Sequence, residues 1–566
     1  MLPNWNMPLR NWQQRAHYAY IGANSADFLL VATPGSGKTI TAARIAHDLL
    51  SNGRVERLVI VCPTDHLKRQ WAKSLSRFGI SIDPEWKNGD GVVGKDYHGI
   101  AVTYATVAKN PSIHRHHCRR PTMLIADEVH HAGDGNSWGD GLRQAFEPAI
   151  ARLLLSGTPF RTDKSTIPFV PYTEEQDGTR RSKADFSYGY GDALRDDICR
   201  PVLFPSYEGT MEWSSNFETH TASFRDEIPE PEARRRLRTA LDPQGEWIST
   251  VLRDADQKLR ELRHNGQPDA GGLVICIDQA HAKKIAAKLR KVAGEEPVIV
   301  ISEDPDATRE LECFSKGRQK WVIAVRMLSE GVDIPRLQVG VYATNIIAEL
   351  FFRQVIGRFV RVTTNNQGQR HPEEQSAYLF LPREEQLIVY AQRVKEERDH
   401  ELFEEIEDIT GDLGKEKPER TAKQSTLFAP IGAEAFADDV FFDHLAIPQA
   451  EISVAATLKE RSGLTVDAVQ IAHLFRLANK PLVEAAPQPE AKPEPEEEPL
   501  FIRKKKQGKV LKRVITQLVQ ASGQDYSHWY MRLMAHDGVR NPDATEEQLT
   551  KRIEIAMNWL EGHRRG

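Results

Sequence analysis

No apolar run in this chain approaches the roughly 20 residues needed to cross a bilayer as a helix, so no membrane role is expected. The opening Met1-Leu2-Pro3-Asn4-Trp5-Asn6 has neither a basic start nor an apolar stretch, nothing in it marks the chain for export, and a cytoplasmic protein is expected. Cysteine is scarce. The five present, Cys62, Cys118, Cys199, Cys276 and Cys313, lie far apart without CxxC spacing, which argues against a disulfide framework and a four-cysteine iron–sulfur site. They read as free thiols in a reducing compartment. A strong charge of either sign is also missing: the formal net charge of −5 gives no global attraction to phosphate, so any nucleic-acid path must be a local stripe. The run His114-Arg115-His116-His117-Cys118 has metal-ligating residue types, but adjacent residues rarely converge on one ion without distant partners. A solvated loop before a strand is the simpler expectation there.

What is present is a globular composition, 40% hydrophobic and 27% charged, over 566 residues. At roughly 100–200 residues per domain this predicts three or four units. Short β-branched runs alternate with helical stretches from the start to about residue 200, as in a parallel α/β sheet. Each run ends in polar chemistry: Phe28–Val31 before a glycine loop, Leu58–Val61 before Cys62-Pro63-Thr64, Met123–Ala126 before Asp127-Glu128, and Arg152–Leu155 before Ser156-Gly157-Thr158-Pro159. Ligands in open α/β sheets bind at the carboxyl ends of the strands, where these clusters fall. A second alternating region, 201–385, carries Leu273–Ile277, Pro297–Ile301, Trp321–Val325 and Val339–Tyr342. Residues 386–480 read as a charged helix followed by loops and short helices, 481–500 as a solvated Pro/Glu-rich linker, and 501–566 as a small basic helical domain.

The loop Ala32-Thr33-Pro34-Gly35-Ser36-Gly37-Lys38-Thr39 lies between a strand and a helical run, although the strict phosphate-loop pattern would begin with Gly. In such a turn backbone N–H groups wrap phosphates, Lys38 adds charge at the β- and γ-phosphates, and Thr39 can ligand Mg²⁺. Asp127 is placed to hold the Mg²⁺ shell and Glu128 to polarise an attacking water.

With these motifs the chain resembles a superfamily 2 helicase of the broad DEAD/DEAH group, most similar to phage and bacterial DNA helicases related to restriction-enzyme motor subunits. The resemblance runs over roughly residues 9 to 382, with ordered motifs in both halves. It implies an α/β fold, two tandem RecA-like parallel-sheet motor domains followed by a small, mostly helical C-terminal region. It also implies ATP with Mg²⁺ and a polynucleotide strand bound at the cleft between two lobes. Leu9-Arg10-Asn11-Trp12-Gln13 matches the adenine-reading motif, which implies nucleotide contacts from Arg10 and Gln13. Pro63-Thr64 and Thr103-Tyr104-Ala105-Thr106 match strand-contact motifs, and Ser156-Gly157-Thr158-Pro159 matches the motif that, with His130, couples hydrolysis to strand movement. Ser329-Glu330-Gly331-Val332-Asp333-Ile334-Pro335 matches a motif touching both ligands, Gly331 and Asp333 on the nucleotide side and Ser329 on the strand side. Gln354-Val355-Ile356-Gly357-Arg358-Phe359-Val360-Arg361 matches the arginine-finger motif, and the spacing of Arg358 and Arg361 reads as one helical face reaching a γ-phosphate. The catalytic set is then Lys38, Glu128, Gln354, Arg358 and Arg361.

The signature Asp127-Glu128-Val129-His130 departs from DEAD, and Gln354 stands where some subgroups have His, which weakens the analogy to RNA remodelling and favours DNA. The expected activity is ATP-driven DNA unwinding by a monomer, in phage or bacterial replication, repair or recombination. Two other readings stay open: a duplex translocase or branched-DNA remodeller without strand separation, and a nucleotide-gated replisome recruitment module, against which an intact Glu128 and both arginines speak. Gln424-Ser425-Thr426-Leu427-Phe428 fits the loose form of peptides that dock on sliding clamps, and Leu458–Val469 faintly resembles a helix-turn-helix; ordinary packing accounts for either equally well. The basic run Arg503-Lys504-Lys505-Lys506 with Lys509, Lys512 and Arg513 points to an auxiliary nucleic-acid contact, or else to a solvated face. The tail reads as a tethered accessory with Trp529 and Trp559 available to a protein partner, and it is similar to tails of actinobacterial phage helicases.

Overall fold

The computed structural model describes residues 2–23, 25–133, 136–157, 161–162, 167–174, 180–215, 218–300, 307–325, 334–362, 376–400, 428–433, 436–441, 498–540 and 543–565. The chain divides into two compact units, one of Met1–Ala32, Gly37–Tyr188 and Ala491–Gly566, the other of Thr33–Ser36 and Gly189–Glu490.

In the first unit the apolar runs form a seven-stranded sheet in the order Phe186–Tyr188, Asp27–Ala32, Ala151–Ser156, Thr122–Ala126, Arg57–Cys62, Gly99–Thr103, Ile82–Asp83. Every neighbouring pair is parallel. Such strands are covered by helices on both faces, so their sequences are near-continuous hydrophobic runs; Leu29, Leu58, Ile60, Leu124, Ile125 and Leu154 are all fully buried. The register aligns their carboxyl ends, with Val31 opposite Ser156, Val61 opposite Ala126 and Cys62 opposite Thr103. One sheet edge therefore carries the starts of all the polar clusters.

The segment expected as a solvated loop is instead the helix Pro111–His117, and His114 and His117 are buried. Three residues apart, they share a helix face, which packs against the edge of the Trp86 ring at centroid distances of 5.4 and 5.2 Å. Among the described residues no cluster of three or more potential metal ligands forms. Burial holds both imidazoles down to about 4, aided by the His117 charge on His114 and by Arg57 on His117. A free histidine titrates near 6.5, so the unfolded chain takes up protons that the folded one refuses. Stability is fully present above pH ~6.5 and falls as the pH drops toward about 4, by up to about 3 kcal/mol for each histidine. Thermal unfolding against pH checks this: His117→Phe should remove about half of the acid loss, and an unchanged profile would reject the assignment.

In the second unit another seven-stranded sheet runs Val298–Val300, Trp321–Val325, Gly271–Cys276, Leu337–Ala343, Ala377–Pro382, Val202–Glu208, Phe436–Phe441. All pairs are parallel except the last, where Phe436–Phe441 lies antiparallel beside Val202–Glu208 as the final strand of the order. A smaller antiparallel sheet combines Thr210–Ser215 with Glu218–Ser223 and Phe428–Ala433. Residues 428–441, read from sequence as loops and short helices, thus supply two strands. Two buried indoles of this unit are satisfied: Trp321 Nε1 donates to Asp256 Oδ1 at 2.9 Å and Trp247 Nε1 to the Glu208 carbonyl at 3.1 Å.

The C-terminal helices Leu500–Ser522, Tyr526–Asp537 and Glu546–Arg565 form a bundle around Leu511, Ile515, Leu518, Trp529, Leu533 and Leu560. The last helix starts with a reciprocal capping box: Thr545 Oγ1 accepts from Gln548 N at 3.2 Å, and Gln548 Oε1 from Thr545 N at 2.8 Å. Trp529, expected on a partner surface, is core, and Trp559 packs beside it at a ring distance of 5.4 Å. Nor does the bundle hang free. Asp96 accepts the backbone N–H of Glu546 at 2.8 Å, and Lys504 lies 3.9 Å from Asp96 and over the Tyr97 ring, so the bundle is seated on the first unit. Much of the basic run is spent internally, with Arg503 on Glu546 at 3.0 Å and Lys506 on Glu498 at 2.6 Å, while Lys505, Lys509, Lys512 and Arg513 are exposed. Among the described residues no helix is long and apolar enough to cross a membrane.

Candidate nucleotide site

The strand Asp27–Ala32 ends in a tight turn, where Ser36 N–H and Oγ–H both reach the Thr33 carbonyl at 3.2 and 2.7 Å. The helix Lys38–Ser51 begins directly after Gly37, which sits at φ 105°. A side chain there would be strained, and its Cβ would stand 2.7 Å from Gln13 Nε2 and 3.8 Å from Arg10 Nη1. The backbone is therefore left bare at the helix N-terminus, as close approach of a phosphate requires, and Thr39 stands in that helix's first turn. Gln13 is fixed at both ends, Oε1 accepting from Arg10 N at 2.9 Å and Nε2 donating to the Gly37 carbonyl at 3.1 Å. Gln13 and the glycine loop are thus joined directly.

Lys38 Nζ lies 3.1 Å from Glu128 Oε1. Glu128 holds a left-handed backbone, φ 48°, which costs a non-glycine residue about 1–2 kcal/mol. Its other oxygen accepts Gly157 N–H at 3.2 Å and stands 3.6 Å from His130 Nδ1, which in turn lies 3.3 Å from Ser156 Oγ. The two acids are pushed apart electrostatically. Burial and then the Glu128 charge raise Asp127 to about 6; burial also acts to raise Glu128, but Lys38 and His130 outweigh it and hold that carboxylate low. Asp127 and Thr39 supply the hard oxygen donors that suit Mg²⁺.

Asp127 is gripped from four sides. Trp71 Nε1 donates to its Oδ2 at 2.8 Å, Glu128 N to its Oδ1 at 3.1 Å and Tyr104 Oη to its carbonyl at 2.9 Å, while its own N–H reaches the Val61 carbonyl at 2.8 Å. Sequence reasoning missed Trp71 and Tyr104. The signal was available for one of them, since Trp71 falls seven residues after Thr64, on the same helix face. Thr64 and Thr103, expected at the strand, are N-caps, accepting from Leu67 N at 3.4 Å and Thr106 N at 3.2 Å. Pro63 and Thr106 flank them, both half-buried, and Thr106 Oγ1 lies 2.8 Å from Thr103 Oγ1.

In the second unit Gln354 lies in the helix Glu349–Ile356, which ends before the arginines. Arg358 sits in the following turn, its N–H on the Val355 carbonyl at 3.0 Å, and Arg361 forms an antiparallel bridge with Cys199. The two do not share a helical face, because the chain turns to bury Phe359 and Val360. Burial draws Arg361 down to about 10, so it remains a cation at neutral pH. Arg200, unnoticed in the sequence, is 1% exposed and holds this segment: its Nε donates to the Phe359 carbonyl at 2.6 Å and its Nη2 to the Pro335 carbonyl at 3.0 Å. Thr158, Ser329, Gly331, Asp333, residues 424–427 and Leu458–Val469 lie outside the described residues.

Residues 6–161 match the family model of the Type III restriction enzyme, res subunit. The uncharacterized protein Rv2917 of Mycobacterium tuberculosis is 44% identical over 446 residues, 78% of this chain and 73% of that protein. The uncharacterized protein ML1624 of Mycobacterium leprae is 43% identical over 443 residues, 77% of this chain and 73% of that protein. The chain belongs to the superfamily 2 helicases. More distant is the DNA 3′-5′ translocase XPB2 of Sulfurisphaera tokodaii, 23% identical over 371 residues, 62% of this chain and 78% of that protein. The matched residues take in Leu9–Gln13, the glycine loop, Pro63-Thr64, Thr103–Thr106 and Asp127-Glu128.

Proposed function

We propose that the chain is an ATP-driven DNA helicase or translocase of bacterial or phage replication, repair or recombination. The observation that carries this is the convergence of Gln13, Gly37, Lys38, Asp127, Glu128, His130 and Ser156 on one sheet edge, an arrangement suited to NTP hydrolysis. An arriving γ-phosphate competes with Glu128 for Lys38. Once Lys38 turns to the phosphate, Glu128 loses the partner that masks its carboxylate and can orient and deprotonate a water. Mg²⁺ held by Asp127 and Thr39 would neutralise phosphate charge. Glu128 also accepts the Gly157 N–H and borders His130, itself beside Ser156, so a change at the water-activating acid reaches the coupling motif within one bond of each. Arg358 is assigned as the finger that meets the γ-phosphate, with Gln354 and Arg361 beside it in the chain.

DNA is favoured by the DEVH signature and by the distant relative whose name is that of a DNA translocase. The same relative supports translocation without strand separation as a second reading. Exposed Lys505, Lys509, Lys512 and Arg513 supply an auxiliary phosphate contact, and replisome or clamp docking through the C-terminal region belongs to the same proposal. The test is ATP turnover and strand displacement on DNA and RNA substrates with 3′, 5′ or no overhangs. Turnover should rise with DNA, and displacement should require a 3′ overhang. Stimulation by duplex without displacement would favour the translocase; no response to any polynucleotide would reject the motor.

A further inference from the structure

The two elements assigned to strand contact begin at Thr64, the N-cap of the twelve-residue helix Asp65–Ser76, and at Thr103, the N-cap of the short helix Tyr104–Lys109. Each element also sends one aromatic side chain inward, and both reach the same residue. From the helix Asp65–Ser76, Trp71 places its indole N–H 2.8 Å from Asp127 Oδ2; from the helix Tyr104–Lys109, Tyr104 places its hydroxyl 2.9 Å from the Asp127 carbonyl. Both are buried, at 2% and 1% exposure, so neither bond is exchanged readily with water.

We propose that Trp71 and Tyr104 are positioning residues that carry the state of the two strand-contact helix starts to the metal-holding carboxylate. This rests on the ATP-driven reading above. Two helical turns, about 10 Å, separate Thr64 from Trp71, and a helix that short moves as a rigid rod. A phosphate seated at its N-terminus draws the rod along its axis, and the indole moves with it. A hydrogen bond weakens steeply once its alignment is lost, so a displacement that tilts the indole changes both the charge density and the direction of Oδ2. Tyr104 acts on the main chain of the same residue, one peptide from Glu128. The buried indoles of Trp321 and Trp247 also find acceptors, but those two use a helix aspartate and a carbonyl remote from the nucleotide loop. Here the acceptor is the carboxylate that would hold Mg²⁺.

The experiment measures ATP turnover of the full chain with and without oligothymidylate across a Mg²⁺ titration, for wild type, Trp71→Phe, Tyr104→Phe and the double variant. Each variant's stimulated rate is divided by its own unstimulated rate. The expected ratio falls about tenfold in Trp71→Phe and about threefold in Tyr104→Phe, the loss of one hydrogen bond to a charged and to a neutral acceptor. Half-saturating Mg²⁺ should rise severalfold in Trp71→Phe, while oligothymidylate affinity without nucleotide stays within about twofold of wild type. A role limited to packing would lower the thermal midpoint and leave the ratio and the Mg²⁺ dependence alone, which overturns the proposal. So does a ratio that falls only in step with oligothymidylate affinity. If Trp71→Phe does not fold, an unmoved ratio in Tyr104→Phe overturns the proposal and a lowered one supports it. An active wild type with unmoved variants sinks this inference alone, whereas a wild type without ATP turnover overturns this and the ATP-driven reading together.

Discussion

Glu128→Gln is expected to lower ATP turnover by about 10²–10⁴-fold while nucleotide binding persists. The amide keeps the size and shape of the carboxylate but cannot accept the proton of the attacking water. The structure adds a sign to the binding half of this result. Lys38 is engaged with Glu128 at 3.1 Å, and an incoming phosphate must displace that carboxylate to gain the lysine. Removing the negative charge removes the competitor, so the variant should bind ATP as tightly as wild type or a few-fold more tightly. Lys38→Ala gives the opposite pattern, because the charge that meets the β- and γ-phosphates is gone and affinity itself drops. Steady-state turnover with saturating DNA, beside equilibrium binding of a fluorescent ATP analogue, separates the two variants. Near-normal turnover in Glu128→Gln would remove Glu128 from the catalytic role, and weakened binding there would mean that the acid supports the loop instead of competing with the ligand.

How much of this could be read from the sequence depends on how local each determinant is. The runs around Leu29, Ile60, Ile125 and Leu154 announced themselves because a strand buried on both faces must be apolar throughout. Val202–Glu208 did not, since Pro205 interrupts it, and the antiparallel pair Thr210–Ser215 and Glu218–Ser223 shows only weak alternation through Met211 and Trp213. Phe428–Ala433 and Phe436–Phe441 were invisible as strands because their partners lie more than 200 residues earlier in the chain. The glycine loop and the acid pair were legible as single linear motifs. The grip on Asp127 was not, because its two aromatic donors come from the helices that follow two other strands and only the parallel register brings them together. His114 and His117 were misread for a related reason: helical spacing that buries one face looks, residue by residue, like a polar loop. The seating of the bundle on Asp96 has no counterpart in local pattern at all, being a choice among the many acids of the first unit.

Arg358→Ala is expected to reduce DNA-stimulated turnover by about 10³-fold or more, the usual worth of an arginine finger, with ATP affinity changed by no more than about threefold. A finger acts on charge that develops in the transition state, so its loss appears in the rate and not in ground-state binding. The structure explains why Arg358 and not Arg361 is the informative target. Arg361 is bridged to Cys199 and so strongly buried that its pKa falls to about 10; its truncation damages packing as well as any chemistry. Arg358 sits in the turn after the helix Glu349–Ile356, half-buried, and the turn is held from behind by Arg200 through the Phe359 carbonyl. The Arg200 bonds to the Phe359 and Pro335 carbonyls do not involve the Arg358 side chain. Arg358→Lys sharpens the measurement, since it keeps the positive charge but loses the planar fork, and a finger that works by bidentate contact should be restored only in small part. The decisive comparison is the ratio of DNA-stimulated to unstimulated turnover in the two variants beside their ATP affinities. A fall in affinity with turnover preserved at saturating ATP would make Arg358 a ground-state binding residue and leave Arg361 as the group to test for the γ-phosphate.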